Sequence, residues 1–145
     1  MAVACQHQGP EYQRKDLLLL ISEGQINYLA CDPKVTSHLN NYLGSVTFDI
    51  SGEWVAASSP RGNRVIIWHL VEGRDAIHSH TLIITDACGL SASHQAGGFI
   101  ISTGMGYLYH YQATTKHTYT LDSGTKTSGT NSGIQLSWDN HLANF

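Results

Sequence analysis

Charged side chains are scarce in this chain. Asp, Glu, Lys and Arg together make up 13% of it, against roughly 25% in ordinary soluble domains. The eight Lys and Arg residues are scattered and outnumbered by eleven carboxylates, for a net charge of −3. No basic field is available to neutralise phosphates, so nucleic acid is not an expected partner. Cysteine occurs three times, as Cys5, Cys31 and Cys88. These are far apart and form no C-x-x-C pair, which excludes zinc-ribbon and thioredoxin-type arrangements without settling the redox compartment. The start, MAVACQHQGPEYQRKD, has no basic region followed by an apolar stretch, and the aliphatic run from Leu17 to Ile21 is far short of the ~20 residues of a membrane span. Neither an export signal nor an anchor is expected in the chain as written. Catalytic signatures are missing too. Gly129-Thr130-Asn131-Ser132-Gly133 is not a G-x-S-x-G elbow, and Gly104-Met105-Gly106 leads into a strand pattern, which makes it a turn and not a dinucleotide loop.

What is present is glycine, 14 residues of it against three prolines, and 41% hydrophobic residues in 145 positions. That is enough to build one domain with a real core, and the profile suits short strands joined by tight turns. Nine histidines set against eleven carboxylates mean that acidification through ~6.5, the ordinary imidazole pKa, can reverse the sign of the net charge.

Short β-type runs broken by glycine turns recur at close intervals, and no long helical period competes with them. Ser45 to Asp49, Trp54 to Ser59, Arg64 to Leu70 and Ile77 to Ile84 read as four strands. Cys88 to Ala92, Gly98 to Thr103, Tyr107 to Gln112 and His117 to Leu121 read as four more. Ser59 lies 44 positions before Thr103 and Val65 lies 43 before Leu108, inside the ~40–45 spacing of four-stranded propeller blades.

Upstream, Val3 to Cys5, Leu17 to Ile21 and Ile26 to Ala30 resemble the last three strands of an earlier blade. Downstream, Ser123 to Gly133 reads as a polar linker, and Ile134 to Asp139 as the first strand of another blade. The expectation is an all-β protein of antiparallel four-stranded blades, about three in number, forming part of a WD-repeat-like β-propeller across 1–145. The divisions fall at about 2–30, 45–84, 88–121 and 134–142. Closed propellers need roughly four to eight blades, so the chain reads as an arc cut from something longer. Its end blades then expose apolar faces and strand edges through which it can self-associate.

Five separated motifs carry a family resemblance. They are Val3-Ala4-Cys5-Gln6-His7-Gln8-Gly9, Asn41-Tyr42-Leu43-Gly44-Ser45-Val46, the SSPRGNR stretch from Ser58 to Arg64, Asp86-Ala87-Cys88-Gly89, and Trp138-Asp139-Asn140-His141-Leu142. In this order they resemble a bacterial family of exported, WD-repeat-like propeller proteins known as domain of unknown function 1513. The resemblance implies that the chain corresponds to the C-terminal part of longer periplasmic proteins. It also implies an association with iron acquisition, because the family is typically encoded near imelysin-like iron-uptake proteins.

Each candidate site has a plainer reading beside it. In Pro60-Arg61-Gly62-Asn63-Arg64, proline and Gly-Asn make a hairpin turn, while Arg61 on that turn can offer a planar five-donor guanidinium to a carboxylate or phosphate. Trp68-His69 stands where WD-repeat proteins carry Trp-Asp, so Trp68 is expected between blades and His69 on the opposite face. His78 and His80, two apart on an outer strand, would share a face that metals can use, but no third ligand is identifiable. Cys88 reads as a small buried thiol unless a cation activates it. Asp139, Asn140 and His141 can open a blade or contribute to a site.

Two functions compete on these residues. The first is a non-enzymatic binding or scaffold module whose loop face, with Asn41, Arg61, Asp86, Asp139 and His141, contacts a protein or a small anion. The second is a metal-handling protein or enzyme with a site in the channel, to which Cys88, Asp139 and His141 contribute and which further blades complete. The absence of a complete catalytic constellation favours the first, with no catalytic residue, cofactor or metal ligand assigned.

Overall fold

The computed structural model describes residues 1–10, 16–70 and 77–121. Eleven antiparallel strands and one short helix occupy them. The first sheet contains β1 (Ala2–Ala4), β2 (Leu18–Ser22) and β3 (Gln25–Tyr28), followed by α1 (Pro33–Thr36). The second contains β4 (Ser45–Phe48), β5 (Trp54–Ser59), β6 (Arg64–His69) and β7 (Ile77–Ile83), each strand beside the next in chain order. The third contains β8 (Ala87–Ala92), β9 (Gly98–Thr103), β10 (Leu108–Gln112) and β11 (His117–Leu121) in the same order. The fold is therefore all-β, in blade-like antiparallel sheets, as expected. The final strand and linker expected over 123–142 lie outside the described residues.

Helix α1 has a local cause. Asp32 caps it, its carboxylate accepting from the Lys34 N–H at 2.7 Å, and Pro33 occupies the first turn, where its missing N–H has no consequence.

The second and third sheets repeat each other strand by strand. Trp68 pairs with Val55 on β5, and Tyr111 pairs with Phe99 on β9. Both rings are almost fully buried and both face the preceding sheet. Trp68 lies with Val55, Ala57 and Ile66 in the core shared with the first sheet. Tyr111 lies with Phe99 and Ile101 in the core between the second and third sheets, opposite Ala56, Val65 and Ile67. Alternation along β5 and β6 thus sends successive residues into two different inter-sheet cores, which is why these strands read as nearly continuous apolar runs. The innermost strands converge, β1 beside β4 and β4 beside β8, while the outer strands β3 and β11 are exposed along their length.

Polar atoms lock neighbouring sheets at both strand ends. The Trp68 indole N–H donates to the Ala30 carbonyl at 2.8 Å, and the Leu90 N–H to the Ser45 hydroxyl at 3.2 Å. At the β4–β5 turn the buried Asp49 carboxylate accepts from the Ser51 N–H and hydroxyl and from the Trp54 N–H. It also accepts across the sheet boundary from the Gly97 N–H at 2.7 Å. Ser93 repeats part of this role one sheet later, its hydroxyl accepting from the Gln95 N–H.

One expectation is corrected. His78 and His80 do not share a face, because a bulge between Ile67 and Trp68 pairs His78 with Trp68 and His80 with Ile67. The extra residue inverts the alternation. His78 therefore lies by Trp68 and bonds the Thr81 hydroxyl at 2.9 Å, whereas His80 faces the other core between Trp54 and Tyr111. Burial, with Lys116 and His78 adding to it, lowers the pKa of His80 and so disfavours its charged form.

Gly62 shows how tightly the β5–β6 turn is held. A Cβ there would sit 2.5 Å from the His38 carbonyl oxygen and 2.7 Å from the Ser59 hydroxyl. Gly62→Ala is expected to destabilise the fold by about 1–3 kcal/mol through overpacking against backbone; a urea midpoint equal to that of the wild type would contradict this contact.

Candidate binding face at the strand ends

The ends of β5, β7 and β9 and the starts of β4, β6, β8 and β10 collect at one edge of the sheets. The antiparallel order brings Asn41, Arg61 and Asp86 together at this edge. The loop segments entering the two inner strands are built alike: Asn41 and Asp86 precede β4 and β8 in the left-handed region, at φ 54° and 51°. Asn and Asp are the non-glycine residues that tolerate it best.

Asn41 is committed to the fold. Its amide donates to the Gly9 carbonyl at 3.1 Å, and its own carbonyl accepts from the His7 N–H at 2.9 Å, so it clamps the 6–9 segment. Asp86 is joined to the β5–β6 turn, its N–H donating to the Asn63 side-chain oxygen at 2.8 Å. Its carboxylate lies against Gly104, where a Cβ would come within 2.1 Å of Oδ2. The Cys88 thiol is buried and donates to the Asp86 carbonyl at 3.2 Å. Arg64 opens β6 and turns its guanidinium onto the Gly62 carbonyl.

Arg61 differs. Its side chain is exposed, its backbone carbonyl is held by the Asn40 amide at 2.7 Å, and its guanidinium lies over the Tyr42 ring, 4.9 Å from the centroid. A cation over an aromatic face is held by the ring while its N–H donors remain able to pair with an anion. The turn is rigid beneath it, with Asn63 at φ 51° tied to Asp86 and, through its carbonyl, to the Ile84 N–H at 3.1 Å. Asp139 and His141 lie outside the described residues. Among the described residues no group of three or more His, Cys, Asp or Glu side chains is placed to hold a metal. Burial pushes the Cys31 thiol up to about 11, which leaves it protonated and a poor nucleophile at neutral pH.

Sequence reasoning missed the inter-sheet latches, among them Asp49 to Gly97 and Asn63 to Asp86. The only local signal for the first was Asp49 two residues before Ser51, an Asx-turn spacing; its partner lies 48 residues away.

These features define an all-β protein of successive blade-like sheets with a rigid loop face. The chain belongs to the family described as "Protein of unknown function (DUF1513)", whose model matches residues 1–145. Comparison with curated proteins finds no match, and comparison with solved structures finds none either. No helix among the described residues is long and apolar enough to cross a membrane.

Proposed function

We propose that this chain is a non-enzymatic binding module of a propeller-type protein, and that its strand-end face recognises a carboxylate or a small anion through Arg61. The observation that supports this most directly is the exposed Arg61 guanidinium seated on Tyr42, above a turn fixed from both sides. A pre-oriented planar donor loses little conformational entropy on pairing with a carboxylate. Asn41, Asn63 and Asp86 build the platform, and their side chains act on the fold. Asp139 and His141 join this face in the reading by their place in the final family motif. The periplasmic compartment and the setting of iron acquisition belong to the same reading and rest on the family resemblance.

Citrate is a suitable probe. Titration followed by ¹⁵N NMR is expected to move the Arg61 Nε–H resonance together with the amides of Asn40 and Tyr42. Arg61→Ala should abolish the response while changing stability by no more than about 0.5 kcal/mol. Unmoved resonances, or equal shifts in Arg61→Ala, would remove this face from consideration.

A further inference from the structure

Away from the loop face, a cleft of about 710 Å3 opens between the second and third sheets. One wall is the continuous run Thr81, Leu82, Ile83, Ile84 and Thr85, along the outer strand β7 and just past it. The other wall carries Tyr109 of β10 and Tyr107 just before that strand, with Thr118 of β11 and Met105. Among the described residues no lining side chain is charged.

Among the described residues, strand β7 pairs with β6 on one side only and is the outermost strand of its sheet. The Ile84 N–H points inward, donating to the Asn63 carbonyl. Because backbone groups alternate along an antiparallel strand, the N–H and C=O of Thr81 and Ile83 point the other way, away from β6, on residues that line the cleft. The one bulge of this strand, at Ser79, lies before Thr81, so the edge from Thr81 to Ile83 is regular. The β7 sequence IHSHTLI contains no lysine, carboxylate or proline, and Ile83 is 80% exposed. The Tyr107 and Tyr109 rings lie 6.5 Å apart at 37° and form a continuous aromatic wall.

We infer that this cleft receives an extended, uncharged peptide segment of a partner protein, which adds as a strand to the free edge of β7 between Thr81 and Ile83. The occupant follows from the walls. Outward backbone donors and acceptors at every second residue match another strand and nothing else so regularly. Leu82, Ile84 and the tyrosines give its alternate side chains an apolar floor. A charged peptide would lose its hydration there without gaining a counter-ion. This surface is separate from the Arg61 face, and neither reading depends on the other.

The test uses the whole chain and a seven-residue peptide of alternating valine and threonine, acetylated and amidated. Excess peptide is expected to slow amide hydrogen exchange at Thr81 and Ile83 by roughly tenfold or more, leaving β6 unchanged. Ile83→Pro removes an outward N–H without touching the ladder to β6 and should weaken peptide binding by at least about tenfold at an unchanged melting temperature. Tyr109→Ala, on the opposite wall, should weaken it as well. Should Ile83→Pro unfold the chain, the same peptide N-methylated at alternate residues carries the test, since it should fail to protect the edge of the wild type. The inference is overturned by peptide protection that survives N-methylation, or by unprotected Thr81 and Ile83. It is overturned equally by a cleft occupied by a neutral saccharide and not by the peptide, or by a dimer that Ile83→Pro dissolves, which would put a second copy on this edge.

Discussion

Asp49→Ala is expected to cost about 3–5 kcal/mol of stability, because it removes the acceptor from four donors at once and leaves the buried Gly97 N–H without a partner. Burial pushes the Asp49 carboxyl upward, but the donations from Gly97, Ser51 and Trp54 outweigh it and hold the group below its ordinary value of 3.8. The linkage follows directly. A depressed folded-state pKa adds stability that is fully present above the unfolded value near 3.8 and is lost as pH falls through the lower folded value. Urea midpoints between pH 7 and pH 2 should therefore drop for the wild type by more than for Asp49→Asn, which has no such proton to take up. Wild-type and Asp49→Asn curves that run parallel through this window would show that the carboxylate does not carry the latch. The alanine variant should also speed amide exchange at Gly97, since the hydrogen bond that protects it is gone.

Trp68→Ala is the second large effect, an expected loss of about 3–5 kcal/mol from transfer and cavity terms together. Its indole fills the core between the first and second sheets and bonds the Ala30 carbonyl across it. The loss should be uneven. Exchange in β1 and β2 should accelerate more than in β8 to β11, because only the first sheet loses its main contact with the rest. Trp68→Phe should retain most of the packing and lose about 1–2 kcal/mol, from the smaller ring and the orphaned carbonyl. A deficit under about 1 kcal/mol in the alanine variant, measured by urea unfolding, would mean that the two sheets are held by something else.

Much of the architecture was legible because it is local. The strand runs, the glycine turns and the repeat that places Trp68 and Tyr111 in equivalent positions are all short-range patterns, and the sheets follow them within a residue or two. The opposite faces of Trp68 and His69 were legible for the same reason, and His69 does stack on Trp54 at 4.1 Å. The histidine pair was not. One bulge residue, Ser79, inverts everything downstream, and nothing in IHSHTLI marks where β6 will refuse to pair with it. The candidate face was half legible: Arg61 and Asp86 were named, but that Asn41 is spent on Gly9 could only be seen once a segment 32 residues away was in place.

By itself the sequence determined the kind of strand, the positions of the turns and the 43–44-residue repeat, since backbone preference and side-chain alternation act between near neighbours. The tertiary structure alone decided which carboxylate would be buried, which imidazoles would meet and which strand edge would be left open. Those outcomes depend on pairings between residues tens of positions apart, whose geometry is settled only when the sheets pack against one another.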